Sequence, residues 1–181
     1  MKLYPVSSEF DGKEWTLIFE REFKQPIELM WRALTDPKWV GSWTSYEPDR
    51  DLGSLGPVTL TMTDGPEPQP IASEVTIADR PVTLQYTWGP HGLRWDLCTI
   101  PEGTRLTLRH TVPSADWMPK VAAGWHICLD TAERRLNGED AKRVVGMDAL
   151  DCGWDELHTD YAEKLGVATT PLPEEMTNHR K

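Results

Sequence analysis

Two polar side chains fall in phase with apolar residues on predicted strands. His110 alternates with Leu106 and Leu108, and Tyr86 alternates with Leu84. Because side chains two positions apart point to the same face of a strand, both polar groups are predicted to point inward. An imidazole titrates near neutral pH, and a phenol can donate a proton. Each is a candidate for acid–base chemistry or for orienting a bound molecule, and the catalytic residues, if any, remain unassigned.

The other reactive side chains lack a diagnostic spacing. The sequence contains no GxSxG, GxGxxG, Walker or HExxH motif. Asp151, Asp155 and His158 share one helical face and could bind a divalent ion, but a solvated helix face is the favoured interpretation. Three widely spaced cysteines without a CxxC pair argue against a disulfide framework or a zinc site, and Cys128 is predicted to be a small core residue. We therefore expect no metal and no cofactor.

Several charged groups are predicted to lie at the surface. His126 and Asp130 are four residues apart on a helix and are expected to form a surface or rim hydrogen bond. The charged residues at 20–22 and 133–135 are expected to be exposed pairs.

Nine tryptophans among 181 residues are unusually many. Each ring can bury roughly 150–250 Å², on the order of 4–6 kcal/mol of gross burial energy. Two interpretations stay open at this point: a tryptophan-rich core, or a cavity lined with aromatic rings.

These side chains must be positioned by strands and helices that the hydrophobic periodicity predicts. Residues 14–23 alternate as a strand, residues 26–34 have helical spacing, and Asp36-Pro37 is suited to begin a second short helix. Five further strands are predicted at 58–63, 71–79, 82–88, 92–100 and 103–112. A long amphipathic helix at 117–137, a connector at 139–150 and a final helix ending at Gly166 complete the order.

Length and charge limit the possible classes of protein. The length indicates one domain, predicted at residues 10–166, with a mobile tail at 167–181. The formal charge of −10 would repel a phosphate backbone, so no nucleic-acid partner is expected. No apolar run is long enough to span a membrane, and the first residues lack an apolar signal core, which favours a cytoplasmic location.

Three segments resemble a known superfamily. FEREFKQPIELMWRALTDPKWVGSW (19–43), AAGWHICLDTAERRLNG (122–138) and GWDELHTDYAEKLG (153–166) resemble the START-like, or SRPBCC, superfamily, and specifically its branch named after the activator of heat-shock-protein-90 ATPase. The resemblance implies an α+β helix-grip fold: a six-stranded curved antiparallel sheet around a long C-terminal helix, with two short helices after the first strand and an extra terminal helix.

That fold implies a cavity between the sheet and the long helix, and hence a protein that binds a small hydrophobic or aromatic molecule. Entry is expected near the short helices and the proline-rich loop at 64–70. The predicted ligand-contact residues are Trp43, Met62, Tyr86, Trp88, Trp95, His110, Met118 and Trp125.

Other functions stay open. Some START-like relatives are polyketide cyclases or aromatases and others are hydrolase-like, and such an enzyme would have to use Tyr86, His110 or Arg94 here. The branch name also raises the possibility of a chaperone ATPase co-regulator. A homodimer is possible, because aromatic residues are enriched at interfaces.

Overall fold

The computed structural model of this protein describes residues 2–169. The strands are β1 (Val6–Phe10), β2 (Trp15–Phe23), β3 (Tyr46–Pro48), β4 (Gly56–Met62), β5 (Gln69–Asp79), β6 (Thr83–Trp88), β7 (His91–Ile100) and β8 (Gly103–Val112). The helices are α1 (Ile27–Thr35), α2 (Pro37–Trp43), α3 (Trp117–Leu136), α4 (Asp148–Asp151) and α5 (Trp154–Leu165). The predicted tail lies outside the described residues from position 170 onward.

All strands belong to one curled antiparallel sheet, in the order β1-β2-β8-β7-β6-β5-β4-β3. The prediction of six strands was wrong, because the sheet has eight strands within residues 2–169. The two additional strands, β1 and β3, form its two edges. Neither has the alternating pattern that identifies a half-buried strand: β1 reads VSSEF, and β3 has only three residues, one of them Pro48.

The helices α1, α2, α3 and α5 follow the predicted pattern closely, whereas α4 lies at the end of the predicted connector. Asp36 caps α2, since its Oδ1 accepts a hydrogen bond from the Lys38 backbone N–H at 3.0 Å. The long helix α3 ends at Leu136, followed by Gly138 at a φ of +82°. In residues 2–169 no helix is long and apolar enough to cross a membrane.

The middle of the interface between the sheet and α3 is densely filled. Trp43 and Trp95 are at most 2% exposed, and their ring centroids lie 6.0 Å apart in an edge-to-face arrangement. The Trp95 ring also contacts Trp125 of α3, at 5.1 Å and nearly perpendicular. These geometries are favourable for aromatic pairs. The tryptophan-rich core is therefore present in this part of the molecule.

The C-terminal half of α3 is held by a buried arginine. Arg21 was predicted to be exposed, but it is only 2% exposed. Its Nη1 and Nη2 donate to Asp130 at 2.5 Å and to Glu133 at 2.6 Å. The Tyr4 ring covers the guanidinium at 4.2 Å. The exposure prediction failed because Arg21 shares the inward phase of the apolar residues of β2, where two carboxylates of α3 compensate its charge.

His126 is also buried rather than at a surface or rim. Its side chain is 2% exposed, and its Nδ1 lies 2.7 Å from the hydroxyl of Tyr161 on α5. Its Nε2 lies 3.4 Å from Asp130, as the helical spacing predicted. The helix α5 packs over this residue, so the pair joins α3 to the terminal helix.

Candidate ligand-binding site

A cavity of about 620 Å³ lies beside the N-terminal half of α3. Its walls come from α3, from Trp88 and His110 of the sheet, and from two chain segments that cover it. The covering segments are residues 64–66 and the connector at 144–150, with Ser45 and Trp154 at the edges. The α3 residues that line it are Trp117, Lys120, Val121, Gly124, Trp125, Ile127 and Cys128.

The α3 side of the cavity has helical spacing. Trp117, Lys120, Val121, Gly124 and Cys128 recur at intervals of three and four residues, which places them on one face. A Cβ placed on Gly124 would meet no atom within 4 Å. A glycine inside a helix costs up to about 1 kcal/mol relative to alanine. Here the missing side chain leaves space at the cavity wall.

Two aromatic rings of the sheet, together with Trp125 of α3, form a continuous part of the cavity wall. The Trp88 and His110 rings stack, with centroids 5.3 Å apart and planes 12° apart. Trp125 meets Trp88 edge-on at 5.8 Å. The indole Nε1 of Trp125 donates a hydrogen bond to Nδ1 of His110 at 3.0 Å. This contact fixes both rings relative to each other.

His110 is a neutral hydrogen-bond donor rather than a base. Burial, with a smaller contribution from the nearby His91, lowers its pKa to about 3. Since Nδ1 accepts from Trp125, the proton of the neutral ring is on Nε2. Within residues 2–169 this Nε2 has no hydrogen-bond partner, and it is not among the fully buried unpartnered atoms. It is therefore accessible to donate to a bound molecule.

The connector is fastened over the cavity by Arg143. Its guanidinium donates to the Thr44 carbonyl at 2.6 Å, to Glu47 at 2.7 Å and to the hydroxyl of Thr63. Three residues further on, Gly146 has a φ of +55° and its backbone lies against the Asp64 carbonyl. A Cβ at this position would lie 2.4 Å from that oxygen. The close approach of the two covering segments therefore requires glycine.

Two charged residues and one thiol also line the cavity. Lys120 is 7% exposed, with its ammonium 3.6 Å from Asp116 and 4.9 Å from the Trp117 ring centroid. Asp64 is on the covering loop. Burial raises the pKa of the Cys128 thiol to about 12, so it stays protonated and is a poor nucleophile.

The structure separates the predicted ligand-contact residues into two groups. Trp88, His110 and Trp125 line the cavity. The others lie in or against the filled core and not on the cavity wall: Trp43, Met62, Tyr86, Trp95 and Met118. The cavity thus occupies one end of the sheet–helix interface. Residues 64–66 of the predicted 64–70 entry loop line it, whereas α1 and α2 do not.

Tyr86 is committed to a buried hydrogen-bond chain. Its hydroxyl accepts from the Trp95 indole at 3.1 Å and forms a short hydrogen bond with the Tyr46 hydroxyl. Burial raises the pKa of Tyr86 to about 12 and holds that of Tyr46 well above its ordinary value. Arg94, the other candidate for proton transfer, forms an ion pair with Asp96 at an N–O distance of 2.9 Å. It does not line the cavity. Neither side chain is placed to react with a molecule in the cavity.

The candidate metal ligands are not assembled. Within residues 2–169, no group of three His, Cys, Asp or Glu side chains is arranged to hold a metal ion. His158 instead stacks on Trp154 at 4.8 Å, and burial is the main cause that lowers its pKa.

Sequence reasoning missed several residues of the cavity wall. Gly124 lies about one third of a turn away from the apolar stripe of α3, and Lys120 lies nearly half a turn away from it. A glycine in the middle of a long helix was an available signal, since it opposes helix formation. The predicted connector has only a weak pattern, although VVGMDAL (144–150) contains four large apolar residues.

The fold is that of a class of proteins in which a curled antiparallel sheet grips a long helix. CalU16 from Micromonospora echinospora has this fold, with a TM-score of 0.66 and 17% identity over 88% of this chain and 95% of that chain. Protein EF2215 from Enterococcus faecalis, described as a conserved protein of unknown function, has a TM-score of 0.67 and 19% identity, over 88% of this chain and 89% of that chain. The AHSA1-like protein from Aeromonas hydrophila has a TM-score of 0.57 and 20% identity, over 68% of this chain and 92% of that chain.

The family described as activator of Hsp90 ATPase homolog 1-like protein matches residues 24–136. This match covers more than half of the chain, so the chain belongs to that family, which confirms the resemblance seen in the sequence. No curated protein sequence matches the chain.

Proposed function

We propose that this protein binds a small hydrophobic or aromatic molecule in the cavity beside α3. The observation that carries the proposal is the cavity itself, which at about 620 Å³ is in the size range of small-molecule sites. Its wall is mostly apolar, with tryptophan rings and only a few polar groups. That composition is typical of sites that bind by burial and orient the ligand through a small number of hydrogen bonds.

The three aromatic wall residues have distinct roles in this proposal. Trp88 and Trp125 present ring surfaces, against which an aromatic ligand gains contact area and edge or stacking interactions. His110 offers its Nε2–H as a donor to a ligand oxygen or nitrogen. Because the pKa of His110 is about 3, this donor is present in the same form throughout the neutral pH range.

The rest of the fold supports a preformed site. The hydrogen bond between Trp125 and His110 and the contact between Trp95 and Trp125 hold the aromatic wall in place. A site that is already ordered loses less conformational entropy when a ligand binds.

The experiment is a fluorescence titration with N-phenyl-1-naphthylamine, a neutral aromatic probe that brightens in apolar surroundings. We expect saturable binding of one probe per chain and quenching of tryptophan emission. The Gly124→Leu variant places a side chain in the cavity and should weaken binding about tenfold or more, which corresponds to ~1.4 kcal/mol. Arg134→Leu adds the same side chain at an exposed position of α3 and should bind like the wild type.

Unchanged affinity in Gly124→Leu would move the binding site away from the cavity, and the proposal would fail. Absence of saturable binding of this probe and of other aromatic compounds to the wild type would also refute it. If the probe binds in the cavity, mass spectrometry of an organic extract of the purified protein would identify the natural ligand.

A further inference from the structure

One wall of the cavity carries a buried positive charge. Lys120 lines the cavity, its side chain is 7% exposed, and its neighbours on the same wall include Trp117, Val121 and Gly124. Lysine is rarely buried to this degree without a close partner, because removing an ammonium from water is costly. The position of this charge in an otherwise apolar wall needs a reason.

The partners of Lys120 in the protein leave hydrogen-bonding capacity unused. An ammonium has three N–H donors. The Asp116 carboxylate lies at 3.6 Å, longer than the ~2.7–2.9 Å of a charge-assisted hydrogen bond. The Trp117 ring lies at 4.9 Å, within the range of a cation–π contact. An anionic group entering the cavity could therefore approach the ammonium more closely than Asp116 does.

The other titratable groups around the cavity lie at different positions along α3, and within residues 2–169 no second charge on the cavity wall neutralises Lys120. Lys120 is in the first turn of the helix, where the macrodipole also favours a negative charge. The imidazole of His158 lies near Lys120, and its pKa is lowered, so it stays neutral at neutral pH. Asp64 instead lies near the Cys128 thiol, where its negative charge raises the pKa of the thiol and the positive charge of Arg143 lowers it. Cys128 is eight residues from Lys120, about 12 Å along the helix axis.

We propose that the ligand is a carboxylic acid whose carboxylate binds Lys120 while its aromatic or alicyclic body lies against Trp88 and Trp125. This inference rests on the proposed function and specifies the class of ligand. Lys120 and Trp125 are five residues apart, about 7.5 Å along the helix. A spacer between the carboxylate and the ring system would extend from Lys120 to the aromatic wall, and His110 provides a second polar contact near the ring.

The test compares two probes that differ in charge but have the same aromatic body: 2-naphthylacetate and its neutral isostere 2-naphthylacetamide. Their affinities are measured by displacement of N-phenyl-1-naphthylamine and by calorimetry at neutral pH. In the wild type we expect the carboxylate to bind about tenfold more tightly than the amide, because a hydrogen bond to a charged group is stronger than a neutral one.

The Lys120→Met variant retains most of the length of the side chain and removes the charge. We expect it to lose the preference for the carboxylate while its affinity for the amide changes little. Lys120→Arg should keep the preference. Lys142→Met removes a lysine whose side chain is 87% exposed, and it should behave like the wild type.

The outcomes separate this inference from the proposed function. Equal affinities of the wild type for the two naphthyl probes would refute the role of Lys120, while binding of the neutral fluorophore would leave the proposed function intact. A preference that persists in Lys120→Met, with native near-ultraviolet circular dichroism, would also refute it. Failure of all three probes to bind would refute both. If Lys120→Met does not fold, the wild-type comparison and Lys120→Arg decide the result.

Discussion

The two halves of the long helix α3 have contrasting surroundings. The C-terminal half is held by ion pairs, with the buried Arg21 donating to Asp130 and Glu133. The N-terminal half faces a cavity, with a glycine at position 124 where a side chain would fit. The same helix therefore anchors the fold at one end and leaves room for a guest at the other.

The contrast teaches how a stable protein can retain an unfilled space. A cavity sacrifices packing contacts that would otherwise stabilise the fold. The dense cluster around Trp95 and the ion pairs of Arg21 supply order next to it. If this division is correct, changes at the anchored half should affect stability alone, and changes at the open half should affect binding.

The largest expected effect is at the anchored half. The double variant Asp130→Asn, Glu133→Gln leaves the Arg21 charge buried without a carboxylate. We expect a loss of ~3–5 kcal/mol in the free energy of unfolding, measured by urea denaturation, because an uncompensated buried charge is costly. Affinity for the fluorescent probe should be unchanged in the folded fraction.

The control for this prediction is Glu22→Gln, which breaks an exposed pair with Arg105. That change should cost no more than about 1 kcal/mol. If the double variant were as stable as this control, α3 would not be anchored by Arg21.

The next prediction concerns the cover of the open half. Gly146→Ala combines a left-handed backbone with a Cβ that would meet the Asp64 carbonyl, so the connector must shift. We expect a destabilisation of ~2–3 kcal/mol and weaker probe binding. Gly138→Ala has the same backbone requirement with no atom within 4 Å, and it should cost only ~1–2 kcal/mol with normal binding. Equal effects on affinity would show that the connector does not shape the site.

The pH dependence of stability tests the state of His110. Its folded pKa of about 3 lies below the ordinary value of 6.5, so between these values the unfolded chain binds more protons than the folded one. The associated stability is therefore complete above the ordinary pKa and is lost as the pH falls below it. From pH 7 to pH 5 this single group should contribute a loss of about 2 kcal/mol.

His110→Gln supplies an acceptor for the Trp125 indole without a titrating ring. Urea unfolding at several pH values should show a smaller acid-induced loss in this variant than in the wild type. The same loss in both proteins would mean that His110 is not the group responsible. His158, whose pKa is also lowered, should contribute in the same direction in both.

The smallest expected change in the free energy of unfolding is at Gly124 on the cavity wall. Gly124→Ala should raise the free energy of unfolding by ~0.5–1 kcal/mol, because alanine is the better helix former and its methyl group meets no atom. Calorimetric or urea unfolding would measure the gain. A destabilised variant would indicate that the wall at this position is already filled.

How far the sequence predicted this molecule depends on which interactions define each feature. Periodicity identified α3 and the six long strands, because each buries one regular face. The edge strands β1 and β3 carry little apolar pattern, so only their pairing with β2 and β4 defines them. Asp36 begins a helix and Gly166 ends one through local backbone geometry, and the sequence therefore predicted both.

The cavity was predictable only in part. Alternation correctly placed Trp88 and His110 on the inner face, but it assigned Tyr86 and Trp95 to the same face without distinguishing them. Which end of the interface stays unfilled depends on tertiary packing, here on Gly124 and on the position of the connector. The alternation of β2 puts Arg21 on the inner face, but the carboxylates that compensate its charge lie on α3, remote in sequence, and no local pattern reveals that pairing.

The most direct test of the account is a structure of the protein with N-phenyl-1-naphthylamine bound, by crystallography or by intermolecular nuclear Overhauser effects. The account predicts that the naphthyl group lies between Trp88 and Trp125, near His110 and under residues 144–150. A probe found on the outer surface, or an aromatic wall that stays unoccupied at saturating probe, would contradict it.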